Sequence, residues 1–209
     1  MWFYNDNHQF QRQTDNSITY LKTALHQLDT QSNGKSKANT NAQHQQSTID
    51  SQNDEFRGRW TNREATIFID MNNQVFKQAM EEAVQAWNNT GAFKFRIVKS
   101  RQQADIVATT SNNQNNQAAG LTEMSVSTMS GYFTSGHIYL NKAYLLNPVY
   151  NYSHERIVNT AEHELGHAIG LSHNNAQSVM QPSGSFFSIQ NTDVQAVNNL
   201  YSKKPEKSN

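Results

Sequence analysis

Between 153 and 170 the apolar residues Ile157, Val158, Ala161, Leu165, Ala168 and Ile169 recur at mostly three- and four-residue intervals, the period of an amphipathic helix. Ser153 stands where an N-cap belongs, and Glu155 falls in the first turn, where the helix dipole favours negative charge. A second helix is predicted over 73–88, with Val75, Phe76, Ala79, Met80, Ala83, Val84 and Trp87 inward and Gly91 just past its end. Short apolar or alternating runs predict strands at 65–70, 93–98, 105–109 and 137–141. After a polar loop over 111–117, Gly120-Leu121-Thr122 opens a further short strand. Strands and helices alternate until the C-terminal part. The expected class is therefore α+β, a mixed twisted sheet with two long helices and a short C-terminal helix.

The first 55 residues follow another pattern. Ile18, Leu21, Leu25 and Leu28 fall at helical spacing, which predicts a short amphipathic helix over 15–28 inside a polar tail. From 29 to 55 the composition is Asn, Gln, Ser, Thr and Lys with almost no apolar residue, the signature of a linker or largely disordered stalk. The chain thus divides into a tail over 1–55, one folded domain over 56–203 and a short tail over 204–209. Met1-Trp2-Phe3-Tyr4 is too short for the apolar core of a signal peptide, and no stretch is long enough to span a bilayer.

Composition narrows the function classes. The 209 residues suffice for a single sizeable core, and the hydrophobic share of 35% and charged share of 16% are both low, the difference being amide and hydroxyl residues. Formal net charge is zero, which gives no support to capture of nucleic acid or an anionic membrane. Cysteine is absent, so disulfides and thiolate metal ligands are excluded.

One segment carries chemistry. His163-Glu164-Leu165-Gly166-His167-Ala168-Ile169-Gly170-Leu171-Ser172-His173 reads HExxHxxGxxH, and five such identities coincide by accident on the order of once in 10⁴ to 10⁵ chains of this length, so chance is the weak explanation. On a helix His163 and His167 lie one turn apart, roughly 6 Å along the axis and within about 40° around it, and both reach one ion. Continued helix would carry His173 about 9 Å further along and away from that face. A left-handed Gly170 ends the helix and returns the chain to the metal. Three neutral imidazoles with an open fourth position suit a catalytic zinc, which activates water, and Glu164 is placed as the general base rather than as a ligand. The other histidines have no partner at ligand spacing: His8, His26 and His44 lie in the tail, His137 opens a strand and His154 a helix. Tyr150 and Tyr152 read as aromatic packing before the helix.

Past the third histidine, Ser178-Val179-Met180 and Pro182 resemble the Met-turn of the metzincin metallopeptidases, with Met180 beneath the zinc-binding histidines. The form HELGHAIGLSH is most similar to the matrixin branch, as is the ending Thr192-Asp193-Val194 through Leu200-Tyr201, and the resemblance covers about residues 58 to 202. It implies the metzincin (zincin-like) fold with Ala104-Asp105-Ile106-Val107 as central strand, and a zinc endopeptidase that is secreted or at the cell surface, monomeric, acting on protein or peptide. It also implies that Gly120, Leu121 and Thr122 pair with substrate backbone, while the sequence alone shows only a glycine-punctuated edge. Pro182 and Ser183 belong, by the same resemblance, to a cleft wall over 181–189. Phe186 and Phe187 face that pocket or the core, with at least one expected in the core.

Departures from the family are as informative. Asn174 follows the third histidine where serine is common, and only His137 stands where vertebrate-type matrixins carry a histidine- and aspartate-rich structural zinc loop. One zinc is expected, and calcium has no acidic cluster between Asp105 and His163 to hold it. Without a thiol the family's thiolate latency device cannot operate, and the tail over 1–55 is expected to be dispensable for catalysis. Two other classes stay open at this point: a catalytically weak metal-containing binding module, and a zinc hydrolase of non-peptide amides.

Overall fold

A computed structural model describes residues 46–50, 58–115, 118–182 and 185–203. The expected helix over 15–28, Ser183 and the tail over 204–209 lie outside the described residues. The chain clusters into two units, Met1–Gln43 and His44–Asn209, and every described residue belongs to the second.

Strands β2 (Glu64–Ile69), β3 (Lys94–Ile97), β4 (Ile106–Ser111) and β6 (Phe133–Asn141) run parallel, while β5 (Gly120–Ser127) runs antiparallel to β6. To this five-stranded mixed sheet Gln46–Asp50 adds a sixth strand, β1, antiparallel to β5, giving the order β1-β5-β6-β4-β2-β3. Helices α1 (Gln74–Thr90), α2 (Lys142–Leu145), α3 (His154–Ile169) and α4 (Asn191–Ser202) complete the fold. The expected α+β class is the one observed. Strand β5, predicted only as a short run at its first three residues, extends over eight.

The period-two pattern of the strands sends Ile67, Ile106, Met124, Ile138 and Leu140 into the core, where they meet Phe76, Met80 and Trp87 of α1 and Leu165 of α3. Burying each of these large side chains stabilises the fold by roughly 1.5–3 kcal/mol before entropy is counted. Val75 departs from its expected inward position: it sits in the first turn, ahead of the buried stripe that starts at Phe76, and is 40% exposed. Asn73 caps α1 by accepting from the Val75 and Phe76 amides, and Gly91 closes it at φ 69°.

Four hydrogen bonds fix α3, the helix that carries the motif. Ser153 accepts from Arg156 N–H at its start. In its middle the Trp87 indole donates to the Glu162 carbonyl at 2.9 Å. At its end the carbonyls of Ala168 and Ile169, which a helix leaves without intrahelical donors, accept from the Trp60 indole at 2.8 Å and the Tyr201 hydroxyl at 2.9 Å.

Gln46–Asp50 fall in the stretch whose composition predicts a linker. A sheet edge offers backbone donors and acceptors to any extended segment whatever its side chains, so polar composition does not prevent pairing there. A chain beginning at Arg57 removes this strand but none of the buried core. It is expected to fold, with amide exchange accelerating along Glu123–Ser127 and staying slow in α3; hydrogen exchange on both chains checks this. Unchanged exchange along β5 would show that β1 does not cover it.

Candidate active site

Helix α3 ends where the sequence requires. Gly170 adopts φ 117°, its amide donates to the carbonyls of Gly166 and His167, and the Leu171 amide donates to Gly166 as well. A side chain at Gly170 would also meet the Gly58 carbonyl oxygen at 2.4 Å, so the position needs glycine for conformation and for space. The reversal turns the Leu171 carbonyl back onto the His167 ring and brings His173 beside it.

The three imidazoles converge. His167 Nε2 lies 3.0 Å from His163 Nε2 and 3.3 Å from His173 Nε2. Two of the rings have their tautomer set by a carbonyl, which can only accept: His163 Nδ1 donates to Val179 O at 2.7 Å and His167 Nδ1 to Leu171 O at 2.8 Å. Burial, followed by the charge of His173, pulls the His163 pKa down to about 4, and burial likewise holds His167 well below its ordinary value. Both rings are therefore neutral near pH 7, and their Nε2 lone pairs face one another. That arrangement is repulsive unless a cation sits among them.

The donor set fits zinc. Tetrahedral ligands at Zn–N distances of 2.0–2.1 Å stand about 3.3 Å apart, close to the observed separations. Among the described residues this is the one group of three or more potential ligands gathered within 4.8 Å. His137 is elsewhere, stacked on Tyr139 with centroids 4.4 Å apart and bonded to Thr109. His154 lies against Glu82 on the surface.

Met180 is buried with its sulfur over Gly166, where a Cβ would stand 2.3 Å from Sδ. The glycine before the second histidine is thus a space requirement for the methionine. The turn holding Met180 hangs from α4. Asp193, 2% exposed, accepts from the Val179 amide at 3.0 Å, the Gln190 amide at 2.8 Å and the Ser178 hydroxyl, while Ser178 Oγ accepts from the Met180 amide. Since Val179 O orients His163, a carboxylate on α4 sets the direction of a ligand on α3. Motif spacing had no way to show this, although an acid three residues into a capped helix was a visible signal.

Glu164 is 4% exposed and points at β5, where the Thr122 hydroxyl reaches its Oε2 at 2.7 Å and its main-chain oxygen at 3.0 Å. Thr122 is fully buried, and Leu121 faces the other side of the sheet with Glu123. Glu162 faces away from the histidines and accepts from the Ile189 amide at 3.0 Å; burial, opposed by that bond and assisted by Asp193, raises its pKa to about 7.

Pro182 is exposed beyond the Met180 turn. Residues Ser185 to Ile189 return past α3, with Asn159 donating to Ser185 O at 3.0 Å and Thr160 bonded to Ser185 Oγ at 2.7 Å. Neither Phe186 nor Phe187 enters the core, contrary to expectation. Phe186 is 49% exposed because the Arg156 guanidinium, 4.0 Å from the Tyr152 ring, stacks 4.7 Å over its face and holds it at the surface. Phe187 is half-buried outside the core cluster.

The family model described as Matrixin matches residues 59–202. The chain belongs to the matrixin family. This matrixin is accordingly a zinc metallopeptidase of metzincin fold, with His163, His167 and His173 as the ligand group available to the metal. No curated protein matches the chain. Among solved structures it is similar to myroilysin, at 15% identity over 69% of this chain and 86% of that one with a TM-score of 0.48. It is also similar to archaemetzincin from Methanopyrus kandleri, at 14% identity over 68% of this chain and 98% of that one with a TM-score of 0.45.

The Asp193 connection is testable by substitution. Asp193→Ala is expected to weaken zinc binding by roughly 10- to 100-fold, the usual cost of losing an orienting partner behind a metal-bound histidine. Titration against a chromophoric chelator measures it; wild-type affinity would show that the turn keeps His163 oriented unaided.

Proposed function

We propose that this matrixin is an endopeptidase in which Glu164 is the general base for attack of water on a peptide bond. The observation that supports this most directly is the meeting of three imidazole Nε2 atoms, with the Nδ1 atoms of His163 and His167 tied to carbonyls, beside a buried carboxylate one residue from the first ligand. Zinc held there supplies an open position for water, lowers the pKa of that water to about 7 and polarises the scissile carbonyl. Glu164 takes a proton from the attacking water as the C–O bond forms. It delivers that proton to the amine nitrogen as the C–N bond breaks. His163, His167 and His173 keep their Nε2 atoms directed at one point, and Val179 and Leu171 hold two of the rings in the tautomer this needs.

The substrate is a protein or peptide chain in extended form. Its backbone runs along the end of β5 nearest Glu164, Gly120 to Thr122, where main-chain hydrogen bonds supply affinity independent of side chains. The loop over 181–189, including Pro182 and Ser183, forms the wall of the pocket that receives the residue after the cleaved bond, and Met180 is the floor beneath the metal ligands. Among the described residues no helix is long and apolar enough to cross a membrane. A secreted or surface-displayed monomer, with the catalytic domain over 56–203 acting without its N-terminal tail, completes the reading.

Two measurements test this. Metal analysis should return one zinc per chain, Glu164→Ala should keep that zinc and lose roughly 10²- to 10⁴-fold in turnover of an unfolded protein substrate, and His167→Ala should lose both. Near-normal turnover by Glu164→Ala, or hydrolysis indifferent to a chelator, would remove the mechanism. Substitutions across 183–188 should shift the side chain preferred just after the cleaved bond, as read by mass spectrometry of cleavage products. An unchanged profile across all of them would detach that loop from the pocket.

A further inference from the structure

Strand β5 meets Glu164 at two places on one face. Thr122 is fully buried and its hydroxyl carries a single proton, yet it stands within hydrogen-bond distance of both the Glu164 carbonyl oxygen, at 3.0 Å, and Oε2, at 2.7 Å. The contact to Oε2 is the shorter of the two, so the proton goes to the carboxylate. Two residues earlier, and therefore on the same side of the strand, Gly120 lies under the other oxygen. A Cβ built there would stand 2.3 Å from Oε1 and 2.7 Å from both Cδ and Cγ of Glu164. Gly120 does not have a positive φ, so glycine is needed here for space and not for backbone conformation.

We propose that β5 is the cradle of the base: Gly120 leaves room for the Glu164 carboxylate and Thr122 anchors its Oε2, so that the group that exchanges protons with water and leaving amine is held in one orientation. This rests on the reading of Glu164 as general base. It gives the Thr122 side chain and the bare Cα of Gly120 a positioning role, added to the main-chain pairing with substrate proposed for the same strand. A buried carboxylate requires donors, and an unanchored one on a flexible side chain samples several rotamers. Fixing one oxygen converts proton transfer from a search into a preset contact, and misplacement of a reacting group by about 1 Å costs on the order of 10²-fold in rate. The same strand then aligns substrate backbone and base in one register, because both are referenced to consecutive residues of β5.

The test uses the full chain, a short fluorogenic peptide, and an analogue in which the scissile amide is replaced by a methyleneamine. Thr122→Val keeps the shape of the side chain and removes the donor. It should lower kcat by about 10- to 100-fold, leaving KM, the Kd of the analogue and zinc content at wild-type values. Thr122→Ser restores the hydroxyl and should recover most of the rate. Gly120→Ala should displace the carboxylate and lower kcat by about 100-fold or more, again with zinc retained. A Thr122→Val protein within twofold of wild-type kcat overturns the proposal. So does a loss confined to KM and analogue binding, which would mark a cleft contact, or a loss of zinc, which would mark a structural role. Failure of Thr122→Ser to recover activity counts equally against it. Wild-type protein lacking chelator-sensitive hydrolysis would instead remove the peptidase reading itself, an outcome distinct from any difference among the variants.

Discussion

His163 and His167, both neutral, hold their Nε2 lone pairs 3.0 Å apart with His173 Nε2 beside them, and most of the arrangement around α3 serves to keep them there. A protein without a reason to gather these lone pairs would rotate the rings outward or protonate one of them. Here rotation is blocked by the carbonyls of Val179 and Leu171, and protonation is disfavoured by burial of His163 and His167. A cation placed among the three rings would offset the repulsion between those lone pairs, which is why this group suits a metal.

The same constraint explains parts of the chain remote from the motif. Gly170 turns the backbone so that Leu171 faces His167, and its lack of a side chain is what lets the Gly58 carbonyl pass closely behind it. Gly166 gives up a side chain to Met180, and the Met180 turn is hung on Asp193 of the last helix. Trp60, Trp87 and Tyr201 occupy carbonyls of α3 with side-chain donors, which ties the motif helix to the segment before β2, to α1 and to α4. Positions far apart in sequence thus share one task, holding a single helix still in three dimensions.

What could be read from the sequence follows from how local each cause is. The span of α3, its Ser153 cap and its termination at Gly170 depend on residues within one or two turns, and periodicity with cap chemistry displayed them. So did the inward stripe of α1 from Phe76 onward. The meeting of His163, His167 and His173 was legible because its geometry is written in fixed offsets along one segment. Contacts across long sequence separations were not. Thr122 reaching Glu164 and Asp193 supporting Val179 depend on which strand and helix pack against α3. No periodicity encodes that choice, and Thr122 and Gly120 looked like features of an edge. The placement of Phe186 failed for another reason, since a neighbouring Arg156 offered its ring a surface partner that hydrophobicity alone does not register.

The outer strands of the sheet are β3 and β1. On β3 the exposed Lys94 and Arg96 place positive charges on the open rim, which discourages another chain from docking there as a further strand. Strand β5 has a single charged residue, Glu123, and is covered instead by β1. The N-terminal segment thus takes up the β5 edge from Glu123 to Ser127 and moves the open rim of the sheet one strand further out. Without it the open rim would be β5 itself, a row of backbone donors and acceptors on the strand that touches Glu164.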